Sequence, residues 1–350
     1  MRVSAAVIGL VAFAACSNPS GPELEGTAHN LAELEQRLDI LRDRLHIPGL
    51  SVGIAEGDRI VWTKGLGLAD VEQNKPATST TDFHIASLTK GFAGIILIKL
   101  VSEGRLSLDD PVSKFGVSIA GDAGIKVRHL VTMTSESTPP GKSFLYNGDR
   151  FALLQQVLES ASGKSFAELV VQRVVQPLGL AKTAPNVMNP VFAVSGLDRD
   201  AFLANFAVGY NANGSRSGYP TNFSPAAGII STVEDLLTYS IAIDSDRLLT
   251  SVERSLLFEP AKSTTGSTLP YAIGWFSQNI RGKTIQWAYG YWVGNSSLII
   301  RDPSTHRTFV ALANSDGLSA GFPLGTGDLE SSPVAREFLE AFVFAANPLI

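Results

Sequence analysis

Leu31, Leu34, Leu38, Leu41 and Leu45 fall three or four residues apart, a spacing that lines one face of a 3.6-residue helix. Asn30 offers a side-chain acceptor to the first free amides and Pro48-Gly49 stops the run, so an amphipathic helix is expected there. Ser51 to Ala55 and Arg59 to Lys64, joined through Glu56-Gly57-Asp58, read as a hairpin of two short strands. From Ser87 to Glu103 the pattern changes: Phe92, Ile95, Ile96, Ile98 and Val101 leave no clean polar stripe before Gly104. That helix is expected to be central and buried on nearly all sides.

Four more helices are expected at Arg150 to Ser162, Phe166 to Val175, Val233 to Ile243 and Val334 to Phe344. Ser231 and Glu234 form a capping-box pattern before the third, and Ser332-Pro333 opens the last. Strand patterns return late, at Ala272 to Phe276, Thr284 to Tyr289, Ser296 to Arg301 and Thr308 to Ala313, with a turn at Asp302-Pro303. Strands from both chain ends would then share one sheet, residues 30–65 and 265–350, around a mostly helical part at 66–264. This is an α+β arrangement of helices packed on an antiparallel sheet.

The chain has 350 residues, 45% hydrophobic and 17% charged, enough to bury a sizeable core. A net charge of -5 without a basic stripe argues against nucleic acid as a partner. At the N-terminus, Met1-Arg2 precede an apolar run from Val3 to Ala15 that ends at Cys16, the single cysteine. The run is too short to span a bilayer and reads as a secretory signal. Phe13-Ala14-Ala15-Cys16 resembles a bacterial lipobox, which implies cleavage before Cys16, acylation of that residue and lipid anchoring in the cell envelope. Residues 17–29, with Pro19, Gly21, Pro22 and Gly26, read as a polar tether.

Candidate chemistry centres on Ser87-Leu88-Thr89-Lys90, the one Ser-x-x-Lys in the chain. Residues three apart share a helix face, so Lys90 can meet the Ser87 hydroxyl. A serine is a poor nucleophile until a base takes its proton, and a lysine serves as that base when burial lowers its pKa from about 10.4. The five histidines, His29, His46, His84, His129 and His306, lack paired metal-ligand spacing, so no metal or other cofactor is expected. Gly49-Leu50-Ser51-Val52-Gly53 fits the Gly-x-Ser-x-Gly pattern but lies between a helix and a strand, whereas a nucleophile elbow needs strand before helix.

The stretch Asp82 to Lys90, with Pro48-Gly49-Leu50-Ser51-Val52 before it and Glu103 to Pro111 after it, resembles the serine β-lactamase-like family of class C β-lactamases, D-alanyl-D-alanine carboxypeptidases, D-aminopeptidases and esterases. The likeness continues through Phe144 to Gly148, Pro177 to Leu180, Ala226 to Ser231 and Ile273-Gly274-Trp275. It implies a transpeptidase-like fold and places Tyr146 beside Ser87 and Lys90 as a proton relay, a task that suits a group able to donate and accept. It also implies an oxyanion hole made by the backbone N–H groups of Ser87 and of Tyr291, which follows Gly290.

Three positions depart from the family's pattern. Ala288, in Trp287-Ala288-Tyr289-Gly290, stands where a Lys or His usually recognises a substrate carboxylate. Tyr146-Asn147-Gly148 replaces Tyr-x-Asn, displacing the amide to Asn147, and Thr132 to Glu136 replaces a His-Thr-Ser-Gly segment. Gly294 keeps the later spacing, and Trp287, Tyr289, Tyr291 and Trp292 are candidates to line an apolar cleft. Two readings follow: a hydrolase forming an acyl-enzyme on a small-molecule ester or peptide-like amide, or a non-catalytic protein that binds cell-wall peptide or β-lactam.

Overall fold

The computed structural model describes residues 24–121, 124–345 and 347–349. The expected signal, Cys16 and the first part of the tether lie outside the described residues. The helices are α1 (Leu31–Arg44), α2 (Thr89–Ser102), α3 (Val127–Val131), α4 (Gly148–Ala152), α5 (Leu154–Ser162), α6 (Phe166–Val170), α7 (Gln176–Leu178), α8 (Arg199–Asn205), α9 (Val233–Asp244), α10 (Ser251–Phe258) and α11 (Pro333–Phe338). The strands are β1 (Gly49–Glu56), β2 (Arg59–Asp70), β3 (Lys75–Pro76), β4 (Phe83–His84), β5 (Ile230–Ser231), β6 (Phe276–Ile280), β7 (Lys283–Trp292), β8 (Asn295–Asp302) and β9 (Arg307–Ala313).

Seven strands form one sheet in the order β3-β2-β1-β9-β8-β7-β6, with every pair antiparallel. The chain ends meet where β1 pairs with β9, Leu50 opposite Ala313. Side chains of successive strand residues point to opposite faces, and β9 shows what covers each. Thr308 Oγ1 is 2.8 Å from Ser240 Oγ on α9, while the Phe309 ring stacks on Phe338 of α11 at 5.2 Å. Helices therefore cover both faces, which is why β8 is buried along its whole length. Arg37 ties α1 to α11 through Glu337 at 2.5 Å. Its guanidinium also donates to Glu25 O and Gly26 O, and Ala28 is buried, so the last residues of the expected tether are fastened to the body.

Helix α1 has Leu34, Leu38 and Leu41 buried, and Asn30 Oδ1 accepts from Glu33 N. The α2 segment is buried from Thr89 to Ile98, and its Lys99 reaches Glu253 of α10 at 2.9 Å. Small residues let it sit deep, since a Cβ on Gly94 would lie 2.7 Å from Ile273 O. No helix among the described residues is long and apolar enough to cross a membrane.

Several boundaries differ from those expected. Ala272 to Trp275 form a turn rather than a strand: Ala272 N donates to Trp275 O and Gly274 has φ +78°, so β6 begins only at Phe276. Ser231 does not cap α9, because it is taken up in β5 opposite Phe83; Thr232 caps instead, its side chain accepting from Asp235 N. The expected helix at Arg150 to Ser162 is two helices meeting at Leu153, with Asn147 as the first N-cap. The Phe166 and Pro333 helices each widen into a π-helical segment, Val171–Val175 and Leu339–Phe344.

Candidate active site

The expected helix at Ser87 begins one turn differently. Ala86–Leu88 form a single 3-10 turn, and α2 follows at Thr89. Strand β4 leads into this turn, pairing Phe83 with Ser231 and His84 with Ile230, and Ile85 N donates to Ile229 O. Ala86 then takes φ +47°, a left-handed conformation that costs a non-glycine residue on the order of 1–3 kcal/mol and needs its surroundings to hold it.

The surroundings do so at four points. Ala86 N donates to His84 Nδ1 at 3.2 Å, and Ala86 O accepts from Thr89 Oγ1 at 2.8 Å. Thr89 Oγ1 in turn accepts from Ile229 N, and Ile85 O accepts from Ser297 Oγ of β8 at 2.7 Å. His84 is wholly buried, and desolvation lowers its pKa to about 4. It is therefore neutral at ordinary pH, which leaves Nδ1 free to accept. Ser87 emerges from this frame half-buried while its neighbours Ala86, Leu88 and Thr89 are buried.

Lys90 is buried, and its Nζ donates to Ser87 Oγ at 2.7 Å and to Ala226 O at 2.9 Å. The rings of Tyr146 and Phe151 flank the same nitrogen at 5.1 and 5.6 Å. Loss of water lowers its pKa to about 7, against a smaller upward pull from the Asp149 carboxylate. Near neutral pH a large share of this lysine is uncharged, whereas a free lysine would be almost wholly protonated.

Tyr146 lies within hydrogen-bonding reach of the Ser87 hydroxyl, but burial, and secondarily Tyr289, hold its pKa well above the ordinary phenol value. It stays a neutral phenol that donates and accepts. Its ring packs 5.3 Å from Tyr289 of β7 and edge-on to Tyr271 at 5.9 Å. Strand β7 closes the site from the other side. A Cβ on Gly290 would lie 2.2 Å from Ser297 Oγ and 2.6 Å from Ile85 O, so only glycine lets the strand come this close to the Ser87 turn.

Ser87, Lys90 and Tyr146 thus come together, with Gly290 and the exposed Tyr291 alongside. Ala288, two residues before Gly290, is buried and brings no charge. Asn147 is engaged elsewhere: its amide donates to Glu136 Oε1 at 2.6 Å and its carbonyl caps α4. Of the four aromatics expected at a cleft, Trp287 is fully buried and stacks on Phe276, while Tyr289 meets Tyr146 and Trp292 meets the His84 ring at 6.0 Å. Gly294 lies in the β7–β8 turn, where a Cβ would strike Ser217.

The parts that sequence reasoning missed are supporting ones: His84, Thr89, Ser297 and the Ala226 carbonyl. Thr89 lies inside the Ser-x-x-Lys motif, a visible signal. The Ser297 and Ala226 contacts join positions more than a hundred residues apart, which no local pattern discloses.

A family model described as Beta-lactamase matches residues 34–327. The chain belongs to the beta-lactamase family. As a member of the beta-lactamase family it falls within a superfamily of serine hydrolases. It is 26% identical over 314 residues to Protein flp of Staphylococcus aureus (strain MW2), covering 77% of this chain and 60% of that protein. It is 23% identical over 312 residues to Penicillin-binding protein 4* of Bacillus subtilis (strain 168), covering 75% of this chain and 67% of that one. The chain therefore spans about 60% of the length of the Staphylococcus aureus relative. Among solved structures, it is similar to the octameric penicillin-binding protein homologue from Pyrococcus abyssi, with a TM-score of 0.74 and 22% identity over 90% of this chain and 77% of that chain. It is also similar to the class C beta lactamase from Rhodobacter sphaeroides, with a TM-score of 0.71 and 19% identity over 89% of this chain and 99% of that chain. Both likenesses support the α+β, transpeptidase-like fold.

Proposed function

We propose that this protein hydrolyses an ester or peptide-like amide through an acyl-enzyme at Ser87. The observation that carries the reading is the 2.7 Å contact between Ser87 Oγ and the Nζ of a buried lysine whose pKa lies near 7. In the reactive state Lys90 is neutral and the contact reverses, with the Ser87 hydroxyl donating to Nζ. As Oγ attacks the substrate carbonyl carbon, its proton passes to Lys90 and the carbonyl oxygen becomes an oxyanion. The N–H groups of Ser87 and Tyr291 are the proposed donors to that oxyanion, and removing one such donor typically costs about 10²–10³ in rate.

Collapse of the tetrahedral species breaks the bond to the leaving group, which takes a proton from Tyr146, resupplied by Lys90. Water then attacks the acyl-enzyme with the same groups working in reverse, and Ser87 regains its proton. Because Tyr146 stays neutral, it is a relay here, and Lys90 is the base.

Ala288 favours a second reading, a binding protein without turnover, since the position that would hold a substrate carboxylate is apolar. One experiment separates them: treat the protein, Ser87→Ala and Lys90→Ala with a fluorescent fluorophosphonate and a fluorescent penicillin. Labelling by fluorophosphonate that disappears in Ser87→Ala supports the hydrolase, and fluorophosphonate without penicillin labelling points to an esterase. Labelling that survives in Ser87→Ala, or none at all, sinks the nucleophile assignment. Export and acylation at Cys16 belong to the same proposal, and the mass of the mature N-terminus tests them.

A further inference from the structure

The charge beside this site lies on the segment that follows Tyr146. Lys90 Nζ lies 5.1 Å from the Tyr146 ring and 5.6 Å from the Phe151 ring, so residues 146–151 pass beside the lysine. Within that segment Asn147 and Arg150 both donate to Glu136 Oε1, at 2.6 and 2.9 Å. The Arg150 cation is answered there. Asp149 is left over: it is an exposed carboxylate in the first turn of α4, with no side-chain hydrogen bond or ion pair among the described residues. On β7, two residues before Gly290, Ala288 is buried and supplies no cation.

Resting on the hydrolase reading above, we infer that Asp149 is a specificity-determining residue whose unopposed carboxylate disfavours substrates bearing a carboxylate near the scissile bond and favours neutral or amine-bearing ones. Asp149 lies in the chain between Tyr146 and Phe151, whose rings are 5.1 and 5.6 Å from Lys90 Nζ, and its carboxylate opposes the lowering of the Lys90 pKa by burial. A unit charge acting across roughly 10 Å of partly wet protein shifts an equilibrium by about 2- to 10-fold, a size suited to sorting substrates. At 1 M salt, where the screening length falls to about 3 Å, the discrimination should fade.

The test uses two aryl esters with the same acyl chain, ended by a carboxamide in one and a carboxylate in the other. Their kcat/KM values are measured for the full-length protein, Asp149→Asn and Asp149→Glu. The anionic-to-neutral ratio should rise about 3- to 10-fold in Asp149→Asn and stay near the starting value in Asp149→Glu. Raising salt to 1 M should lift the ratio in the unsubstituted protein and leave Asp149→Asn nearly flat. The acid limb of the pH profile should also move to lower pH in Asp149→Asn, because the carboxylate no longer favours the Lys90 ammonium. An unchanged ratio in Asp149→Asn overturns the inference even if Ser87 is labelled by fluorophosphonate. Failure of the unsubstituted protein to label at Ser87 overturns the hydrolase reading and this inference with it.

Discussion

Gly290 passes so close to Ala86 that a Cβ at position 290 would come within 2.9 Å of the Ala86 Cβ. This contact sets the distance between strand β7 and the turn that presents Ser87, and so fixes one wall of the proposed oxyanion hole. Gly290→Val should push the strand away from Ser87 and cut kcat/KM by at least about 10²-fold, in line with the loss of an oxyanion donor. Far-UV circular dichroism should stay near native, since Gly290 is one position near the end of one strand in a seven-stranded sheet. Full activity in Gly290→Val would show that the β7 backbone takes no part.

Thr89 links two strained or buried backbone groups through one hydroxyl, donating to Ala86 O and accepting from Ile229 N. Thr89→Val has nearly the same shape but leaves both groups unpaired in the interior, at about 1–3 kcal/mol each. Chemical denaturation should show a loss of that order. Phosphonylation of Ser87 should slow as well, because Ala86 is released from its positive φ. A stability loss with an unchanged labelling rate would separate the hydroxyl from the presentation of Ser87.

Lys90 reduces the stability of the fold that holds it. Its folded pKa of about 7 lies below the unfolded value of about 10.4, so the unfolded chain binds the extra proton across the interval between them. The penalty is absent above the unfolded value, grows as pH falls through that interval and is complete below pH 7, where it reaches about 5 kcal/mol. Lys90→Met should therefore be inactive yet gain stability relative to the parent as pH falls from 10 to 7. Thermal unfolding at several pH values reads this directly, and a difference independent of pH would contradict it.

Ala288, two residues before Gly290 on β7, is buried and uncharged. Ala288→Lys should improve kcat/KM for carboxylate-bearing esters relative to neutral ones, with the larger gain expected when combined with Asp149→Asn. No change across a panel of such esters would mean that the site is organised around a different feature of the substrate.

Much of the fold was legible because its signals are local. The Leu31 to Leu45 spacing and the Asn30 cap describe α1, and the apolar surround of α2 announced a central helix. The Ser87-x-x-Lys90 pair was readable for the same reason, since helical geometry alone brings the two within reach. Ser231 has the local pattern of a cap for α9, but its pairing with Phe83 depends on a partner about 150 residues away. Ala272 to Phe276 form a short apolar run of the kind strands have, yet Gly274 at positive φ turns the chain, and a glycine's choice of conformation is set by its surroundings. The amide of Asn147 could not be located from its neighbours, because its partner Glu136 lies on a separate loop. The Ala226 carbonyl was invisible for a different reason: a backbone acceptor carries no residue signature.

The central claim is that Ser87 is activated by Lys90 acting as a neutral base. The rate of Ser87 phosphonylation by a neutral fluorophosphonate, measured from pH 5 to 11 by intact-mass spectrometry, tests it most directly. The rate is expected to rise with pH through a single midpoint near 7 and to lose that midpoint in Lys90→Met. A midpoint near 10, or a profile unchanged in Lys90→Met, would contradict it.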